Sequence, residues 1–342
     1  MKSIFCSVFA LFTLTAFAQK AVVLTDKSAD KKVEVTIDGK PFTAYYYPGP
    51  DKLKKAVLYP LRTANGTDIT RGWPINPRPG ERVDHPHHVG MWLNYEAVNG
   101  HDFWNNSNAV NHEKGTYGTI VHTGIKSMKG GKKQGELIVT ADWLDKKGDL
   151  MLTETTTYIF MGDAKSRTVD RITTLTAKTD VVFKDVKDGM FAIRVARQLE
   201  HPSKGPDIFT DANGIATKVP TMDNTGISGS YRTSAGIEGE DVWSTRAPWC
   251  NLRGKMGDET VNIVIVDHPK NVGYPTYWHA RGYGLFAANP LGQNVFSKGK
   301  ETLNLTLKNG ESTTFRYRTV IASESLSDEK INQITADFGK VK

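Results

Sequence analysis

The stretch Thr119–Lys178 decides the fold: TIVHTGIKSM (119–128), KGGKKQG (129–135), ELIVTADWL (136–144), DKKGD (145–149), LMLTETTTYIF (150–160), MGDAKS (161–166), RTVDRITTLTAK (167–178). Four runs rich in Val, Ile, Thr, Leu and aromatic residues alternate with short breaks of Gly, Asp, Lys and Ser. Breaks this short join only antiparallel neighbours, so the stretch predicts a meander. The same pattern extends outward. Lys32 to Ile37 alternates, turns at Asp38-Gly39 and returns over Phe42 to Tyr47 as a hairpin. Further runs are Gly189–Leu199, Val261–Asp267, Tyr283–Ala288, Glu301–Leu307 and Ser312–Ala322, with Asn309-Gly310 reading as the hairpin turn between the last two. Helix signals are sparse. The clear one is C-terminal, where Ser327 can cap, Asp328 and Glu329 suit the helix dipole, and Ile331, Ile334 and Phe338 share a face. Strands do not alternate with helices, so a parallel α/β sheet is excluded. The expectation is an all-β protein, one large antiparallel β-sandwich with a short C-terminal helix. One segment, 201–248, is long and aperiodic. Such segments in compact domains carry function, and it is expected to fold over the site.

Composition bounds the function. Lys2, the apolar run Ile4–Phe17 and the small-x-small triplet Ala16-Phe17-Ala18 read as a signal peptide over residues 1–18, with a mature start at Gln19. The expected address is periplasmic or secreted. Beyond that run no segment has the apolar length to span a bilayer, so membrane insertion is not expected. Residues 19–342 read as a single domain. Of two cysteines only Cys250 would survive cleavage, so stability comes from core burial and not from a cross-link. The net charge of +7 comes from lysines scattered through turns, with no basic stripe interleaved with aromatics, which argues against nucleic acid.

The residues that promise chemistry lie in two constellations. The first is R-P-G-E-R-V-D-H-P-H-H-V-G-M-W-L-N-Y-E-A-V-N-G-H-D-F-W, residues 78–104. It brings His85, His87, His88 and His101 together with Asp84, Asp102, Trp92 and Trp104. Imidazoles exchange protons or ligate metals near neutral pH, carboxylates orient them, and exposed tryptophans offer flat apolar faces. In an extended backbone His85 and His87 point one way and His88 the other. The pair can act in acid/base catalysis or hold a divalent metal. A cupin metal site needs a Glu three or four residues after His-x-His, and Met91 or Trp92 stands there.

The second constellation runs from Asp267 to Asn289. Along a strand, Tyr277, His279 and Arg281 share a face, with Trp278 between them. A proton donor beside a fixed cation and an aromatic ring suits a hydroxylated ligand, and the cation can stabilise negative charge developing on oxygen. The plain alternative is that Arg281 pairs with a structural carboxylate and the aromatics are core. Arg194 stands among apolar residues and needs a charged partner or a ligand. Trp249 is either a stacking platform or core. No nucleophile elbow, Walker loop or dinucleotide fingerprint occurs, and no Asp/Glu pair stands out for ordinary glycoside hydrolysis.

These motifs carry a resemblance. DHPHHVGMW with VNGHDFW within 84–104, DGMFAIRV at 188–195 and DHPKNVGYPTYWHARGYGLFAANPLG at 267–292 are similar to the PmoA-like family, exported bacterial proteins labelled after methane oxygenase. The resemblance spans nearly all of the chain beyond the leader. It implies a sandwich like the galactose mutarotase-like supersandwich, and company with sugar dehydrogenases and sugar isomerase-like proteins. It assigns no catalytic residue.

The expectation is an exported enzyme acting on a sugar or a 3-keto glycoside. His85 or His87 would be general base or acid and His279 its counterpart. His88, Asp102, Arg194, Asp267, Tyr277 and Arg281 would contact the substrate, and Trp92, Trp104, Trp249 and Trp278 would stack on it. Epimerisation, elimination and hydrolysis remain open. Two other readings stand beside it: a non-catalytic sugar-binding protein, and a metal-dependent cupin-like oxygenase or isomerase with its metal at His85 and His87.

Overall fold

The computed structural model describes residues 22–203, 207–210, 215–219 and 223–341. The expected signal peptide lies outside the described residues. Two eight-stranded antiparallel sheets face one another. In the first the order is Val22–Lys27, Lys32–Ile37, Lys40–Tyr46, Val57–Leu58, Met91–Tyr95, Gly189–Arg194, Leu285–Asn289, Tyr277–Arg281. In the second it is Ser230–Thr233, Trp249–Met256, Glu259–Asp267, Ser312–Ala322, Ser166–Ala177, Leu150–Gly162, Gln134–Leu144, Thr119–Lys129. The meander expected over 119–178 forms one flank of the second sheet.

Alternation decides which side chains fill the space between the sheets. Leu137, Val139, Ala141 and Trp143 point inward from one strand, and Val33, Val35 and Ile37 from another. Rings interlock across the gap: Phe42 meets Phe160 edge-on and Phe191 stacks on Tyr317, with centroids 6.3 and 4.7 Å apart. Glu154 also points inward and is held by Arg171 (2.9 Å) and the Trp143 indole (2.9 Å), so the charge is buried with its partners. The C-terminal helix Asp328–Phe338 is capped by Ser327 and lays Ile331 and Phe338 on the outer face of the second sheet, against Trp249, Val264, Val266 and Val320.

The hairpin expected at Asn309-Gly310 does not pair as expected. Only Thr306–Leu307 is extended before the turn, and it pairs with Val181–Val182. Ser312–Ala322 lies instead between Ser166–Ala177 and Glu259–Asp267.

The strands Met91–Tyr95, Gly189–Arg194 and Leu285–Asn289 are buried on both faces. One face joins the inter-sheet core. The other is roofed by loops, and those loops carry the histidines. Register fixes a row across this roofed face: Trp92 opposite Ala192, Ala192 opposite Ala287, Ala287 opposite His279. At the usual strand spacing the row places Trp92 and His279 roughly 14 Å apart.

Candidate functional site

The histidine motif is a turn, not an extended strand. The His88 amide donates to the His85 carbonyl over 3.0 Å, with Pro86 second in the turn, where its fixed φ is favoured. His85 itself has φ of 45°, in the left-handed region, which costs a non-glycine residue about 1–2 kcal/mol. The facing expected from alternation is therefore replaced. The rings of His85 and His88 lie parallel, 4.8 Å apart, and His87 stands edge-on to both. The stack continues inward from His88 to Trp92 at 5.3 Å and from Trp92 to Trp104 at 5.3 Å.

Asp84 organises the turn. Its Oδ1 accepts from Arg71 at 2.8 Å and Arg194 at 2.6 Å, and its Oδ2 accepts from Nδ1 of His85 at 2.6 Å. Burial works against the charge, but the His85 hydrogen bond and the two guanidinium groups hold the carboxyl well below the usual carboxylate range. Arg71 also gathers the carbonyls of Asp84, His85 and His88 at 2.7, 2.9 and 3.0 Å, so one buried cation shapes the whole turn. Arg194 is the buried arginine that needed a partner, and Asp84 is that partner. It also donates to Nδ1 of His88 at 3.2 Å. Guanidinium only donates, so His88 carries its hydrogen on Nε2. That nitrogen is buried without a partner among the described residues. Burial foremost, then the neighbouring cations, keep both His88 and His87 from protonating. His85 has the opposite tautomer: Nδ1–H faces the carboxylate, and Nε2 is the free nitrogen of a side chain that is 41% exposed.

Beside this dyad opens a cleft of about 700 Å³ lined by Arg82, His201, Pro202, Ser203, Glu240, Trp243, Ala280, Arg281, Gly282 and Tyr283. Tyr283 joins it to the histidines. Its ring is parallel to His85 at 5.1 Å, and the Arg194 and Arg281 guanidinium groups lie 4.9 and 5.9 Å from its centre. Arg281 also lies 5.6 Å over Trp243. The aperiodic segment contributes His201, Pro202, Ser203, Glu240 and Trp243, so both of its ends wall the cleft.

His279 shares the sheet face; like His85 it is not among the residues that line this cleft, and unlike His85 it has no ring contact with Tyr283. It is buried, its Nδ1 is 3.7 Å from Asp188, too far for a hydrogen bond, and its ring meets the edge of Phe296. Burial lowers it to about 4, with Asp188 acting in the opposite direction. Burial, together with Asp188 and Asp102, pushes Glu96 up to about 7, which marks a clustered set of acids near this end.

Several expected site residues do other work. Trp92, Trp104 and Trp278 are fully buried, because loops roof one face of the sheet and the second sheet covers the other, so none presents an open ring to a ligand. Trp278 points into the core and donates to the Ala247 carbonyl. Trp249 belongs to the second sheet, under the C-terminal helix, with its indole on Asn332 at 2.7 Å. Asp267 ties a loop by accepting from the amides of His268 and Thr276 and from Asn271. Asp102 caps Asn105. Tyr277 stacks on Phe296, lies under Arg246 and reaches Glu301.

Sequence reasoning missed Arg71, Glu240, Trp243 and Tyr283. The signal for Tyr283 was present: it stands between Gly282 and Gly284, and Gly284 has φ of 88° with the Glu200 and Val195 side chains 3.2 Å from where a Cβ would sit. No group of three or more His, Cys, Asp or Glu among the described residues is placed to hold a metal ion, so the histidine turn does not fit the cupin-like site.

Residues 32–336 match the model of a family of unknown function, DUF6807. No curated protein sequence matches the chain. Among solved structures, the GH36 α-galactosidase AgaB from Geobacillus stearothermophilus aligns with a TM-score of 0.43 at 11% identity, over 89% of this chain and 41% of that enzyme. The chain thus spans less than half the length of that α-galactosidase. Galactose 1-epimerase from Lactobacillus acidophilus NCFM aligns with a TM-score of 0.35 at 11% identity, over 90% of this chain and 100% of the epimerase. The Slr1438 protein from Synechocystis sp. PCC 6803 gives 0.34 at 8% identity, over 92% and 100%. With its match running through nearly all of both sheets, the chain belongs to the DUF6807 family of unknown function.

Proposed function

We propose that this is an exported carbohydrate-active enzyme in which the Asp84–His85 dyad exchanges a proton with a sugar or 3-keto glycoside held in the cleft of Arg281, Glu240, Trp243 and Tyr283. The observation that carries the reading is the dyad itself. A carboxylate clamped by two buried arginines fixes the tautomer of an exposed imidazole beside a polar cleft with two aromatic faces. Aromatic faces suit the C–H side of a sugar ring, and charged side chains suit its hydroxyls. His85 Nε2 would take a proton from a hydroxyl, or from carbon beside a keto group. Arg281 would stabilise the oxyanion that forms. In the first case the anomeric carbonyl would form as the ring C–O bond breaks, the ring oxygen would take the proton back from His85, and re-closure on the other face would give the epimer. In the second the enolate would expel the glycosidic oxygen, which would leave with the proton returned by His85. The resemblance to PmoA-like proteins, with their sugar-metabolising company, supports the same substrate class.

The test is turnover of a glycoside and aldose panel, 3-keto glycosides included, by wild type, His85→Ala and Arg281→Ala. The reading expects wild-type turnover of at least one compound and its loss in both variants. Equal turnover by His85→Ala would remove the dyad from the mechanism. Binding without turnover by wild type would leave a sugar-binding protein. The exported address is tested by the N-terminus of the secreted product, expected at Gln19.

A further inference from the structure

His87 faces a different cleft from the one beside His85. This second cleft, about 340 Å³, has apolar walls that include Leu53, Val57, Trp73, Pro74 and Pro86, and Lys55 and His87 also line it. It has the size and character of a small-molecule site. Two polar atoms on its walls are buried and unpartnered among the described residues: Nε2 of His87 and Nε1 of Trp73. The Trp73 nitrogen can only donate. Buried donors without partners are rare in native proteins, because each costs the free energy of a lost hydrogen bond.

Lys55 adds a charge. Its ammonium is buried, donates to the His87 carbonyl at 2.7 Å and lies 5.3 Å from the centre of the Trp92 ring. Among the described residues no carboxylate forms an ion pair with it. Burial pulls it down to about 7, with Asp102 acting in the opposite direction. A buried cation without a counter-ion is an unfinished electrostatic arrangement. An anion in the cleft would finish it and satisfy the orphaned nitrogens as well.

We propose that this cleft binds a small carboxylic acid with a flat apolar body, its carboxylate held by Lys55 and the free nitrogens of Trp73 and His87 and its body lying between Trp73, Pro74 and Pro86. The site is separate from the dyad, and the inference does not depend on the carbohydrate reading. Benzoate and trans-cinnamate are the probes, each paired with its neutral amide, which keeps the shape and loses the charge. Binding is followed by titration calorimetry on wild type, Lys55→Met and Trp73→Phe.

The acids are expected to bind wild type roughly tenfold or more tighter than the amides, since a charge-assisted contact is the strong one. Lys55→Met should abolish that preference, and Trp73→Phe, which keeps the ring and loses the N–H, should weaken the acids severalfold. Acid and amide binding alike in wild type, or neither binding, would overturn the proposal. So would a preference that survives in Lys55→Met. Should Lys55→Met fail to fold, the acid–amide comparison in wild type and the Trp73→Phe loss decide the matter on their own.

Discussion

His85 donates from Nδ1 to Oδ2 of Asp84 over 2.6 Å, while the other oxygen of the same carboxylate holds Arg71 and Arg194. One side chain therefore sets the tautomer of an exposed imidazole and is the shared ion-pair partner of two buried cations. The two duties separate on mutation. Removing His85 leaves the arginine clamp intact and takes away a ring that is 41% exposed. His85→Ala is expected to melt close to wild type while turnover falls by roughly 10²–10⁴-fold, the usual worth of a positioned acid or base. Thermal unfolding and steady-state kinetics on the same preparation check both halves.

Asp84→Asn should behave in the opposite way. It leaves two buried guanidinium groups short of their counter-charge, and breaking such a pair costs about 3–5 kcal/mol. The pH dependence follows from the depressed carboxyl. The folded state releases this proton more readily than the unfolded chain does. The stabilisation is therefore complete above the ordinary carboxylate range and disappears as pH falls through the lower folded value. The gap between wild type and Asp84→Asn is expected to be flat from about pH 5 to 9 and to close only in strong acid. Urea denaturation across that range measures it.

Lys55 contributes a penalty where Asp84 contributes a stabilisation, although both make the fold more stable as pH rises through their own windows. The folded protein releases the Lys55 proton near 7, the unfolded chain only near the ordinary lysine value of 10.5. Between those values the unfolded state holds more protons, so this group's penalty on folding shrinks as pH rises through that window. Below 7 the penalty is complete. Lys55→Met, similar in length and uncharged, is expected to stabilise the protein by a few kcal/mol, on the order of the buried-charge cost, at pH 6 and by much less at pH 10. Thermal melts at the two pH values decide it, since the difference between variant and wild type cancels every other titrating group.

The meander was legible because its strands alternate with a period of two and its breaks are too short for anything but reversal. The C-terminal helix was legible from Ser327 and the spacing of Ile331, Ile334 and Phe338. Asn309-Gly310 marked a true reversal, with the Glu311 amide returning to the Lys308 carbonyl. Turn chemistry fixes where a chain reverses and not which strand it then pairs with, so the partner was misassigned. In the site, the residue types of 84–104 announced chemistry. Their facing was hidden because Pro86 makes a turn where alternation assumed a strand. The exposure of Trp92 and Trp104 was hidden too, since tryptophan content is the same whether loops roof a sheet face or leave it open. Arg71 and Arg194 converge on Asp84 from opposite sides of it in the sequence, a meeting that only the folded sheet specifies.

The hinge between turn and strand gives the last test. Gly90 links the histidine turn to Met91, with φ of 58° and a position where an added Cβ would lie 2.3 Å from the Leu58 carbonyl oxygen. Its own carbonyl accepts the Arg194 amide at 3.0 Å, so the same residue that admits the close approach also anchors the clamp. Gly80 is a matched control, with φ of 75° and open space around it. Gly80→Ala should cost only the conformational term, about 1 kcal/mol. Gly90→Ala must add a clash with backbone that cannot rotate away, so it should cost at least about 2 kcal/mol more and reduce His85-dependent turnover as well. Guanidinium denaturation of both variants, with activity measured alongside, makes the comparison. Equal costs would mean that the strand and the turn do not approach each other at Gly90, and the geometry that aims His85 would lose its support.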